Sequence, residues 1–170
     1  MSVESLFLTA ATGSLRQLSD RIGICLGKLT EDQIWARGNE NENAVGNLVL
    51  HLCGNVRQWI VSGLGGVPDI RQRDREFATE GGITGEALNQ LLQTTMAEAI
   101  AVIEGLSTGQ LLEIHHIQDR TASGVEAVLQ VTQHFAQHTG QIIFATKLLT
   151  GEELGFYSHL KRPSHAEKTP

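Results

Sequence analysis

His134 and His138 stand four residues apart in the run His134-Phe135-Ala136-Gln137-His138. On a helix this spacing separates them by about 40° of circumference, so both imidazoles leave the same side and one metal ion can reach both. Ala127, Val131, Ala145 and Leu149 project onto that side too, which makes it a face that seeks burial. Burial makes protonation of either ring costly, and ligation removes that cost. A third imidazole, His51, lies where Asn47, Asn55, Gln58 and Ser62 form a polar stripe beside Leu48, Leu52 and Trp59. If its helix neighbours the one carrying the pair, His51, His134 and His138 supply three nitrogen ligands and leave coordination positions open. Zinc and nickel lead the divalent transition metals expected there, although imidazole also accepts copper and iron. Such an ion activates a water or a thiol, with Asn55 and Gln141 placed to orient the ligating rings.

Other readings of the same residues stand beside this one. A histidine at a core boundary commonly makes a hydrogen bond and nothing more. The metalloprotease pattern HExxH is excluded, because Phe135, Ala136 and Gln137 fill the interval and none is a glutamate. His115 and His116 fall in an expected loop and are reserve ligands should that loop fold over the bundle end. Asp119 and Arg120 in the same loop offer acid, base or anion-binding groups. His159 and His165 belong to the tail, where solvation suffices. Trp35 and Trp59 read as core and rim packing. Cys25 and Cys53 form no CxxC pair and read as reduced core thiols.

The elements that must position these groups are helical, since period 3.6 dominates and flanked period-2 alternation is missing. A chain of 170 residues has the length of one domain, expected over 1–162, with 163–170 a fraying tail. The first helix is expected over Val3 to Lys28, and Thr30 with Gln33 has the spacing to cap a short turn carrying Trp35. A second helix begins after Asn43 and stops in Ser62-Gly63-Leu64-Gly65-Gly66. Residues 67–83 then make a long charged connection. The third helix spans about Gly85 to Leu106, a second connection reaches Ala122, and Ser123 with Glu126 opens the fourth, which runs to about Thr150. Four long helices with such connections make an all-α four-helix bundle with a long crossover.

Thirteen basic against nineteen acidic residues leave a net charge of −6, which repels phosphate backbones, so no nucleic-acid partner is expected. The one basic cluster, Arg71, Arg73 and Arg75, is interleaved with Asp69, Asp74 and Glu76 and reads as a solvated loop. No apolar run approaches the roughly 20 residues a membrane span needs, and the N-terminus lacks a basic signal region, so a cytoplasmic protein without a membrane partner is expected. The other side of the fourth helix, through Val125, Leu129, Thr132, Ala136, Thr139, Ile143 and Thr146, is nearly as apolar as the ligand side. A helix greasy on two sides suggests a homodimer, or a tail folded back.

His51 within Gly46-Asn47-Leu48-Val49-Leu50-His51-Leu52-Cys53-Gly54-Asn55, followed by Trp59, resembles the second-helix motif of the DinB/YfiT-like family of metal-dependent enzymes. The segment His134 to Ile142 is similar to that family's last-helix motif, and the likeness extends over the order of all four helices. The resemblance implies a DinB-like bundle with a crossover, usually dimeric, in which His51, His134 and His138 form a three-histidine metal site. It further implies a small-molecule substrate, with hydrolysis or transfer of a low-molecular-weight thiol as the reaction. No basic thiol-binding pocket and no fourth, acidic residue stands out. The alternative is a non-catalytic dimeric bundle, for stress response or scaffolding, in which the histidines or a metal are structural.

Overall fold

The computed structural model describes residues 2–158. The expected domain end at 162, the tail from 163, His159 and His165 lie outside the described residues. Helix α1 (Val3–Lys28) starts on Ser2, whose hydroxyl accepts from Ser5 N–H, and α2 (Glu31–Trp35) carries the Thr30/Gln33 capping box expected of it. Helix α3 (Val45–Val56) continues into a π-helical turn, Arg57–Ser62. After it come α4 (Arg73–Ala78), α5 (Gly85–Glu104), α6 (Thr108–Leu112), the hairpin strands β1 (Ile114–Ile117) and β2 (Arg120–Ser123), and α7 (Gly124–Thr150). Helices α1 and α3 each pack against both α5 and α7, so the order round the bundle is α1, α5, α3, α7. Gly46 at the start of α3 lies against Trp35, and Gly85 at the start of α5 against Ile34 and Leu26 O, so these two neighbouring helices begin at the same end of the bundle and the segment joining them crosses back along its length, while α3 meets α7 on its other flank. No helix of the described residues is long and apolar enough to cross a membrane.

Leu15, Ile22, Leu52, Trp59, Leu92, Ile103, Phe135 and Ile142 fill the axis of the bundle, each with 2% or less of its surface exposed. Burying a side chain of this size contributes roughly 1.5–3 kcal/mol, so the four long helices rest on packing more than on propensity. Along α7 the buried middle is Phe135, Thr139, Ile142 and Thr146. Helices α1 and α3 of the same chain pack on this face, while Leu129 and Leu149, one from each of the two apolar sides read from the sequence, stay 45% and 38% exposed. Phe144 and Leu148 remain outside, 70% and 74% exposed.

The structure corrects three expectations. Helix α3 is capped at Ala44, not Asn43: with no side chain to do it there, the Asn47 side-chain oxygen reaches back 3.2 Å to Ala44 N–H. The second connection is not a plain loop, because within it β1 and β2 pair with Ile117 opposite Arg120, a two-stranded hairpin appended to the helical bundle. Gln118 and Asp119 between them both take positive φ, 54° and 59°, as a two-residue hairpin turn demands. Neither is the Gly or Asn-Gly that signals such a turn, and the hairpin packs so close to the end of the π-helical turn that a Cβ on Gly63 would overlap Ile117. Lastly, the charged connection is ordered by α4, whose Glu76 is buried.

Candidate metal centre

Helix α3 brings His51 to the facing turn of α7. His51 Nε2 lies 3.0 Å from His134 Nε2, and ring centroids within the trio are 4.5 to 5.1 Å apart with the planes nearly perpendicular. One nitrogen from each of His51, His134 and His138 falls within 4.8 Å of the others. His51 is buried, at 6% exposure, while His134 and His138 are half-buried and keep one side of the cluster open. Phe77 of α4 covers His51 with ring centroids 4.8 Å apart.

The far nitrogens explain how the rings are held. Glu76 Oε2 lies 3.0 Å from His51 Nδ1. Arg71 grips the same carboxylate twice, Nε to Oε1 at 2.7 Å and Nη2 to Oε2 at 2.8 Å. Arg71 Nη2 is also 3.1 Å from His51 Nδ1, but two donors cannot satisfy each other, so the carboxylate accepts from both. The ring proton of His51 then sits on Nδ1, and the lone pair on Nε2 turns towards His134. His138 Nδ1 likewise donates to Gln141 Oε1 at 2.6 Å. The clamp extends outward: Arg71 Nη1 donates to Gln58 Oε1 at 2.9 Å, and Gln58 Nε2 donates to Asp69 at 2.7 Å. Gln58 lies in the π-helical turn, an irregularity common at functional sites.

Gly54 makes this arrangement possible, because a Cβ there would overlap Glu76 Oε1. Asn55 is buried, yet its Oδ1 has no partner and no hydrogen bond joins it to the three rings among the described residues. His115 and His116 lie in β1, outside the cluster; His115 Nε2 is buried and has no partner among the described residues, and His116 Nδ1 pairs with the Thr121 hydroxyl at 3.1 Å. Asp119 occupies the hairpin turn and Arg120 the start of β2. Glu76 and Arg71 went unrecognised in the sequence because they lie among charges that cancel locally. That cancellation was the buried pair itself.

Burial, then the nearby His138, His51 and Arg71, pushes His134 down to about 4. His138 is lowered too, by burial first, with its bond to Gln141 opposing. Both rings are thus neutral at physiological pH, the form that ligates. Burial alone would raise the Glu76 carboxyl, but hydrogen bonds from Arg71 and His51 and the charge of Arg71 outweigh it and hold the group below the usual carboxylate range. An all-imidazole donor set, neutral and with two far nitrogens tied to acceptors, fits a divalent transition metal.

The family described as "Protein of unknown function (DUF1572)" matches residues 2–161. A conserved protein of Enterococcus faecalis shares the fold with a TM-score of 0.72 at 15% identity, covering 89% of this chain and 99% of that one. A DinB-like protein of Bacillus subtilis, YjoA, gives a TM-score of 0.67 at 18% identity, covering 87% and 96%. The bundle is thus DinB-like. No curated protein matches the chain.

Proposed function

The chain belongs to the DUF1572 family, a DinB-like family, and on that premise we propose that it is a metal-dependent enzyme acting on a small molecule. His51, His134 and His138 hold a divalent transition metal, zinc or nickel, and the reaction is hydrolysis or transfer of a low-molecular-weight thiol. The observation that carries this reading is the set of three mutually close imidazole nitrogens, with His51 held from behind by Glu76. When bound, the ion supplies a Lewis acid that polarises a substrate oxygen or makes water or a thiol a better nucleophile near neutral pH.

The chain's own residues do the rest. Glu76 and Gln141 fix the ring protons of His51 and His138 on Nδ1. Arg71 keeps the Glu76 carboxylate ionised and in place. Phe77 shields His51, while the half-buried rings of His134 and His138 leave the approach for substrate. The nucleophilic thiol comes from outside, because Cys25 and Cys53 are both buried and burial pushes the Cys53 thiol up to about 12.

The test is elemental analysis of tag-free protein, followed by a panel of ester, amide and thiol-transfer substrates before and after chelation. One divalent ion per chain and a chelator-sensitive turnover support the proposal. A chain that retains full metal content as His138→Ala contradicts the ligand set, and a metal-loaded chain silent across the panel assigns the ion a structural role.

A further inference from the structure

Beside the histidines, across the Arg71–Glu76 pair, lies a cavity of about 330 Å³ between α3, α5 and the crossover. None of the three histidines lines it. Leu50 of α3, Leu91 of α5, and Pro68, Ile70 and Ile83 of the crossover give it an aliphatic wall, beside polar and charged residues of the crossover and of α3. Ile70 and Leu91 hold apolar surface open to water, at 78% and 39% exposure. A volume of this order with aliphatic walls and a few polar groups is the form of a small-molecule seat. Gly54 also lines it, which brings the helix backbone and the Arg71–Glu76 pair to the cavity wall.

Three arginines, Arg57, Arg71 and Arg75, line the cavity. Arg57 is matched by Glu98 and Arg71 by Glu76. Asp69 is occupied as an acceptor, from Gln58 and from the Arg71 backbone. Among the described residues Arg75 alone of the three has no ion pair, and its exposed position puts an unmatched cation beside an aliphatic hollow. A ligand that satisfies both features carries one negative charge on a saturated body. The missing aromatic ring among the lining residues removes the stacking surface a flat ligand would use.

We propose that this cavity binds a small aliphatic monocarboxylate, its chain against Leu50, Ile70, Ile83 and Leu91 and its carboxylate on Arg75. The site is distinct from the metal centre and backs onto the ion pair that orients His51.

Octanoate titrated into isotope-labelled full chain, with and without chelator, tests this by amide chemical shifts. The expected result is saturable one-to-one binding in both conditions, with shifts centred on Gly54, Arg75 and Leu91, and octanol bound at least tenfold more weakly. Arg75→Gln, a surface change, should bring octanoate down to the level of octanol and leave octanol unaffected. Leu91→Trp, which fills the hollow from its rim, should abolish both. Octanoate binding that is unchanged in Arg75→Gln, or shifts that never saturate in the wild-type chain, overturns the assignment. Because the metal-free chain is one arm, failure of the metal reading leaves this test intact.

Discussion

Glu76 and His51 lie 25 residues apart in the chain and 3.0 Å apart in space, joined Oε2 to Nδ1. The carboxylate that orients a bundle histidine is thus delivered from the crossover. Glu76→Gln should weaken zinc binding by about 10- to 100-fold, measured by competition with a chromophoric chelator, as loss of a carboxylate behind a ligating imidazole does. It should also lower stability, because Arg71 is left buried without its counter-ion. Replacing both partners, Arg71→Met with Glu76→Leu, should restore melting temperature without restoring zinc affinity. Recovery of both together would show that Glu76 acts only as packing.

Gly54→Ala probes the same contact from the helix side. The added methyl overlaps Glu76 Oε1, so a loss of about 1–3 kcal/mol is expected in urea unfolding. Gly140 lies in a helix as well, with open space around it. Gly140→Ala should be neutral or stabilising by up to about 1 kcal/mol.

Acid should destabilise the metal-free protein through His134. Its folded pKa, about 4, lies below the ordinary 6.5. The unfolded chain therefore takes up the proton first as pH falls, and the neutral ring's contribution is fully present above 6.5 and lost down to about 4. Allowing for solvent around a half-buried ring, the loss is on the order of 1–2 kcal/mol. Urea midpoints between pH 7 and pH 4.5 should fall in the wild type and flatten over that window in His134→Gln. Equal slopes in both would dissociate the effect from this ring.

The two cysteines should resist modification. Cys25 and Cys53 are buried, and burial raises both thiols, Cys53 to about 12. A disulfide reagent at pH 8 should release almost no chromophore from native protein and two equivalents in denaturant. Fast native labelling at Cys53 would contradict the proposal that any attacking thiol is external.

The long helices and the three-histidine group were legible in the sequence, because each depends on residues close along the chain: Thr30 and Gln33, Ser123 and Glu126, His134 and His138. Pairing His51 with the last helix needed only the bundle order. What escaped depended on burial that no local pattern displays. Glu76 sits in a run of alternating charge, and only the fold reveals that one carboxylate and one guanidinium of that run turn inward, with 10% and 4% of their side chains exposed. The hairpin escaped for another reason: its turn is Gln118-Asp119, residues that tolerate positive φ without announcing it. Asn55 occupies the same polar stripe as His51, yet a helical stripe cannot say which member meets a partner.

The division of labour between bundle and crossover has an engineering consequence. Three of the groups that matter to the histidines, Arg71, Glu76 and Phe77, arrive on one short strap spliced between two pillars. Grafting a different strap onto the same pillars would retune the chemistry of the imidazoles while the architecture stands, so variation in this protein's reactivity should concentrate between Arg71 and Phe77 rather than in the pillars.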